Sequence, residues 1–340
     1  MSVIAPYDAL LLDLDGTVWA GGDAIPHAVA NINACTASGC AVAYVTNNAS
    51  KGPDEVAGKL AAIGLDASAG DVLTSAQAAV VLAQRHADPG AKVLVVGADS
   101  FKGLVREAGF VVVDSADDNP AVVLHGHNPD TGWRQLSEAA LAIRNGAVYL
   151  ASNLDSTLPA ERGFMVGNGS MVAAVSSATG VVPEAAGKPG RAMFDLAQEK
   201  LGVHKPLVVG DRLDTDIAGG VAAGMDTLHV LTGVSGPRAL IAAPLGQRPT
   251  FIAEDLRVLT SYAGDFSSLA PAVQGGFTAT VEQRASEEAV IILDGGNEDA
   301  TWLQALRTVV SVAWNIEDEP EFIDVKAASP AAGTAIKAWW

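Results

Sequence analysis

The chain has 340 residues, of which 49% are hydrophobic and 18% charged, a balance that suits a folded soluble protein and leaves no room for extensive disorder. Its formal net charge of -18 repels nucleic-acid backbones and anionic lipid surfaces, and Lys and Arg are scattered singly rather than gathered into a basic patch. Cys35 and Cys40 are too few for a disulfide framework, the first residues carry no secretion signal, and no apolar run reaches the roughly 18 residues that span a bilayer; a cytoplasmic location is expected, without nucleic-acid or membrane partners.

Short runs rich in Val, Leu and Ile alternate with Ala-rich stretches of helical periodicity, the pattern of an α/β protein with a doubly wound parallel sheet. Ala9 to Leu12 reads as the first buried strand, Ile25 to Ser38 as a helix, and Ala41 to Val45 as the second strand. Further strands are expected at Lys92 to Val96, Val111 to Val113, Ala121 to Leu124, Val148 to Ala151 and Pro206 to Val209. A last parallel strand, Asp226 to Leu231, follows a helix over Ile217 to Ala223 that Gly224 is placed to cap. Beyond about Asp265 the pattern changes. Phe277 to Glu282 and Ala289 to Leu293 read as antiparallel strands, and Trp302, Leu306, Val309, Val310 and Ala313 fall on one helical stripe. Ser329 to Gly333 reads as a small-residue turn before the closing Trp339-Trp340.

The chemistry concentrates at strand ends. Asp13-Leu14-Asp15-Gly16-Thr17 follows the first strand directly, at the carboxyl end where open α/β sheets place ligands. Val208-Val209-Gly210-Asp211-Arg212-Leu213-Asp214-Thr215-Asp216 repeats the arrangement, a strand running into acidic residues and then a helix. If the two strands are neighbours, Asp211 and Asp216 face Asp13, and carboxylates so crowded either change their ionisation or recruit a hard cation. Oxygen-only ligation selects magnesium. Thr46-Asn47-Asn48 at the end of the second strand and Gly187-Lys188-Pro189 ahead of a helix supply donors suited to phosphate oxygens.

This ordered set resembles the haloacid dehalogenase superfamily of aspartate-nucleophile phosphotransferases, with its four signatures at Asp13-Leu14-Asp15-Gly16-Thr17, Thr46-Asn47, Lys188, and Gly210-Asp211 with Asp216. The resemblance covers about the first 260 residues. The insert between Thr46 and Lys188 is similar to the large α/β cap of the branch that holds p-nitrophenylphosphatase, phosphoglycolate phosphatase and pyridoxal phosphatase. It implies a core over 1–77 and 186–264, a cap over 78–185 and a small α+β extension over 265–340.

The resemblance also implies roles. Asp13 would attack phosphorus and Asp15 would act as general acid and base. Magnesium would bind Asp13, the Asp15 backbone carbonyl and Asp211, with Asp216 holding a metal water or orienting Lys188. Thr46, Asn47, Asn48 and Lys188 would hold the phosphoryl oxygens, and Asn153, Asp155 and Arg162 of the cap would read the remainder of a small phosphorylated metabolite. The combination of core, cap and carboxyl-terminal appendage looks most like the actinobacterial glycerol 3-phosphate phosphatases, with phosphoglycolate, pyridoxal phosphate and sugar phosphates as alternatives. Two other readings concern the extension: an acetyltransferase-like or ligand-binding regulatory module, or a structural segment whose tryptophans pack on the core or a second subunit.

Other signals carry no function. Asn48-Ala49-Ser50 and Asn168-Gly169-Ser170 fit the glycosylation pattern but lack a secretory context, and Gly167-x-Gly169 lacks the rest of a dinucleotide fingerprint. His125-Gly126-His127 reads as structural.

Overall fold

The structure is a computed structural model that describes residues 5–160, 162–261, 266–284, 288–317 and 322–339. Asp265 and Trp340, named above, lie outside the described residues. In chain order the elements are β1 (Ala9–Leu12), the short ribbon β2 (Trp19–Ala20) and β3 (Asp23–Ala24), α1 (Ala28–Ala37), β4 (Ala41–Thr46), α2 (Pro53–Ala62), β5 (Val72–Thr74) and α3 (Ser75–Ala83). Next come β6 (Lys92–Val96), α4 (Asp99–Glu107), β7 (Val111–Val113), β8 (Val122–His125), α5 (Trp133–Arg144), β9 (Val148–Ala151), the hairpin β10 (Thr157–Ala160) and β11 (Gly163–Val166), α6 (Asn168–Thr179), β12 (Glu184–Ala185) and α7 (Ala192–Leu201). The chain continues through β13 (Pro206–Gly210), α8 (Ala218–Ala223), β14 (Asp226–Val230), α9 (Pro237–Ile241), β15 (Phe251–Ala253) and α10 (Val258–Ser261). It closes with β16 (Phe277–Arg284), β17 (Glu288–Gly295), α11 (Trp302–Ala313), β18 (Phe322–Ala327) and α12 (Pro330–Lys337). No helix among the described residues is long and apolar enough to cross a membrane.

Two compact units emerge, Met1–Val42 with Val203–Trp340, and Ala43–Gly202. In the first, β1, β13, β14 and β15 run parallel in that order, and every residue of β1 is fully buried. Such strands are apolar on both faces because helices cover the sheet from both sides. After β13 the backbone makes a π-helical turn over Leu213–Ile217 before α8, and Gly224 ends that helix with φ of 74°, the left-handed geometry glycine adopts without strain.

The carboxyl-terminal segment belongs to this first unit. β16 and β17 pair antiparallel, β17 and β18 pair parallel, and α11 covers the sheet. Leu306, Val309 and Val310 of α11 share one apolar cluster with Leu240 and Ile241 of α9, Ile252 of β15 and Ile217. The Trp314 indole donates to Leu240 O at 2.9 Å, and the buried Arg307 donates to the carbonyls of Ile252 and Ser268. The turn expected at Ser329 to Gly333 is instead the start of α12: Ser329 caps it by accepting from Ala332 N, and Pro330 fills the first helical position, where its missing N–H costs nothing.

In the second unit, β4 pairs with β5, and a separate parallel sheet has the order β12-β9-β8-β6-β7. Its α5/α6 face buries Val96, Val123, Ala139, Ile143 and Val172. The expected cap limits, 78 and 185, both fall inside this unit.

Candidate active site

The acidic centre follows from the pairing of β1 with β13. Their register sets Leu12 beside Val209, and Asp13 N continues the ladder to Val209 O at 2.9 Å, so both strands deliver their next acidic residues at the same edge. Asp211 is fully buried and Asp13 half-buried. Asp216 arrives from the π-helical turn, where its Oδ2 accepts from Arg212 N at 3.1 Å. One carboxylate oxygen from each of Asp13, Asp211 and Asp216 lies within 4.8 Å of the other two. Three carboxylates this close, two of them buried, repel one another, and a hard divalent cation with oxygen-only ligands fits the donor set.

Asp211 is fixed from the loop after β14. Val234 N donates to its Oδ2 at 2.6 Å, and Ser235 N donates to its backbone carbonyl at 3.1 Å. Thr232 Oγ1 donates to Gly16 O at 2.6 Å, which ties the same loop to the turn that follows Asp13. Two glycines make the approach possible: a Cβ on Gly16, whose φ is +93°, would sit 2.5 Å from the Asp211 carboxyl, and one on Gly233 would overlap that carboxylate outright. Asp15 is exposed, and the Trp19 indole donates to its Oδ1 at 2.9 Å.

The second unit gathers a different set. Thr46 is buried at the end of β4, and its Oγ1 accepts from Asn48 N at 3.1 Å, which leaves the hydroxyl able to donate as well. Asn47 reaches three ways: its Nδ2 donates to both carboxylate oxygens of Asp155 at 3.2 Å and to Lys188 O at 3.1 Å, while its Oδ1 accepts from Lys188 N at 2.8 Å. Lys188 is buried, with Nζ donating to Val45 O at 3.0 Å. Asn48 spends its Oδ1 on Ser50.

Asn153 and Asp155, expected to face a substrate, are turned toward protein groups. Asn153 is buried; its Nδ2 donates to Asn47 O at 2.8 Å, and its Oδ1 accepts from Asp155 N. Asn168 donates to Asn153 O at 2.8 Å, and Ser75 donates to Asn47 O at 2.6 Å. Arg162 lies exposed on the turn of the β10–β11 hairpin, in neither cluster. His125 is buried against Tyr149 OH at 2.9 Å, and burial pulls its pKa down to about 4, the state of a neutral core histidine. Trp19, Ser75, Thr232 and Val234 carry no sequence signal of their own, because a backbone donor or a lone indole has no motif.

Residues 10–111 match the haloacid dehalogenase-like hydrolase family, and residues 185–259 match a second, HAD-hydrolase-like family description. The chain is 40% identical to the D-glycerol 3-phosphate phosphatase of Mycobacterium tuberculosis over 99% of its own length and 95% of that protein's. It belongs to the haloacid dehalogenase-like hydrolases. The crystal structure of the M. tuberculosis glycerol phosphate phosphatase in complex with magnesium superposes on this hydrolase with a TM-score of 0.90 at 39% identity, covering 100% of the present chain and 98% of the other. A double mutant of the thermostable NPPase from Geobacillus stearothermophilus aligns with a TM-score of 0.68 at 33% identity, over 76% of this hydrolase and 98% of that chain. An acid sugar phosphatase of Staphylococcus aureus is 40% identical over 67% of the hydrolase and 88% of its own length. With phosphatase relatives along its whole length, the hydrolase is a phosphatase of this family.

Proposed function

We propose that this hydrolase is a magnesium-dependent phosphatase of glycerol 3-phosphate that works through a covalent intermediate on Asp13. The convergence of Asp13, Asp211 and Asp216 within 4.8 Å carries the reading, and likeness to a glycerol 3-phosphate phosphatase through the carboxyl-terminal extension supports the choice of ester.

In this reading an Asp13 oxygen attacks phosphorus in line, and the bond from phosphorus to the leaving oxygen breaks. Asp15 gives that oxygen its proton. The Trp19 N–H holds one oxygen of Asp15 and leaves the other to carry the proton. Asp15 then takes a proton from water as the water oxygen attacks phosphorus; inorganic phosphate departs and the Asp13 carboxylate is restored. Asp13, the Asp15 carbonyl and Asp211 would hold magnesium, with Asp216 holding a metal water or orienting Lys188, and the ion would supply the positive charge that lets two anions approach each other. Thr46, Asn47, Asn48 and Lys188 hold the phosphoryl oxygens, with the Lys188 ammonium directed by Val45 O. Asn153, Asp155 and Arg162 bear on ester choice, the first two through the loop that Asn47 anchors.

Specificity constants for glycerol 3-phosphate, phosphoglycolate, pyridoxal phosphate and sugar phosphates test the substrate, with glycerol 3-phosphate expected highest. Asp13→Asn should cut turnover at least about 1,000-fold while the protein stays folded, and chelation should abolish turnover reversibly. Unchanged turnover in Asp13→Asn would end the mechanism, and preference for another ester would end the substrate assignment alone.

A further inference from the structure

The five-stranded sheet of the second unit is wound in two directions. From β6 the chain passes to β7 on one side and then to β8 on the other, and β9 and β12 continue outward beyond β8. The order reverses between β6 and β8. Helices leaving two such strands diverge to opposite faces, and the crevice outside the strands' carboxyl ends is where doubly wound sheets take ligands. Here α4, which follows β6, packs with α3, and α5, which follows β8, packs with α6. Between them lies a cavity of about 320 Å³, walled by Val96 and Gly97 at the end of β6, by Asp99 and Lys102 of α4, and by Arg134 and Glu138 of α5. That volume is at the small end of the range for small-molecule sites. Nothing in the phosphatase mechanism uses it.

Most polar groups of the wall are committed. Lys102 pairs with Asp114 at 3.0 Å, Asn128 donates to Gly97 O at 3.3 Å, Gln135 accepts from Gly132 N at 3.0 Å, and Glu138 accepts from Ala116 N at 2.8 Å. Thr131 and the two charged residues Asp99 and Arg134, one on each helix, remain with no side-chain partner among the described residues. Their positions are electrostatically opposite. Arg134 sits in the first turn of α5, which has no acidic residue there and no side-chain cap, so the guanidinium and the helix's positive end reinforce each other. Asp99 opens α4 and sets a negative charge on the facing wall.

We propose that this crevice binds a small zwitterion of the amino-acid class, its carboxylate on Arg134 and the amino end of α5, its ammonium on Asp99. Both charges are required, because a simple anion would meet Asp99 and a simple cation would meet Arg134.

The twenty standard amino acids, titrated singly into the full chain by calorimetry, test this. Fluorescence of Trp133, 84% exposed and next to Arg134, gives a second signal. At least one amino acid should bind saturably at millimolar concentration or below, and its N-acetylated and amidated forms should bind at least about tenfold more weakly. Arg134→Gln and Asp99→Asn should each weaken binding at least about tenfold while leaving kcat/KM for glycerol 3-phosphate unchanged. Absence of binding by all twenty at about 10 mM overturns the proposal, as does a binder indifferent to both substitutions, or acetate binding as tightly as the amino acid.

Discussion

At the scale of single residues, the site depends on absences as much as on functional groups. Gly233 and Gly16 leave the space that the Asp211 carboxylate occupies, so Gly233→Ala should displace it. The expected result is a protein that melts within a few degrees of the parent but needs at least about tenfold more magnesium for half-maximal stabilisation against heat, measured by melting temperature against magnesium concentration. Trp19→Phe removes the donor to Asp15 while keeping most of the ring. Turnover of an alkyl phosphate, whose leaving group needs a proton, should fall about tenfold, and that of p-nitrophenyl phosphate, whose leaving group does not, should change little. Asp13 and Asp211 were legible because each follows an apolar strand directly, and Asp216 because it completes the acidic run after the second strand. Trp19, Thr232 and Val234 were not, since their contacts reach Asp15, Gly16 and Asp211 through a backbone N–H, a hydroxyl or an indole that could have served anywhere.

At the scale of elements, periodicity located the strands at Lys92–Val96, Val111–Val113 and Val148–Ala151 to the residue. It failed where one signal has two meanings. Ser329-Pro330 reads as a turn, yet the same pair is a cap and first position once a helix follows, and β5 runs into α3 with no residue between them, whereas β7 is an unbroken run of three valines. Two elements carry testable energetics. His125 on β8 has its pKa lowered from 6.5 to about 4 by burial. Above pH 6.5 it is neutral folded and unfolded; between 6.5 and 4 the unfolded chain takes up a proton that the folded chain refuses. Stability therefore falls as pH drops through that window, by about 3 kcal/mol from this residue. Melting temperature against pH should be less steep in His125→Gln than in the parent between pH 7 and 4.5. Arg307→Leu on α11 leaves the Ile252 and Ser268 carbonyls without their donor and should cost about 2–4 kcal/mol in denaturant unfolding.

For the whole molecule, the sequence resembled the right family because its four signatures come in order, each at a strand end or ahead of a helix, and the order of chemistry survives where local structure is ambiguous. Less legible was how the carboxyl-terminal segment is used. Read alone it is a small α+β appendage, but Phe277, Leu293, Leu306 and Trp339 lie in one cluster with Leu213, Ile217 and Leu240, a joint interior that only long-range contact reveals. Removing everything after residue 264 should expose that apolar surface, and the shortened chain should aggregate on size-exclusion chromatography although every acidic ligand is still present. A soluble product with parental melting temperature would contradict this.

The three-way reach of Asn47 has a consequence for how such an enzyme can change. One amide joins the loop bearing Asp155 to the backbone of Lys188, so the part proposed to discriminate among esters and the part proposed to neutralise phosphate are mechanically one piece. Altering Asp155 to shift preference should slow every substrate together. Asn47 bonds Asp155 and Lys188 rather than the β10–β11 hairpin, whose Leu158, Met165 and Val166 are exposed, so substitutions at those three positions should change ester preference with little effect on rate.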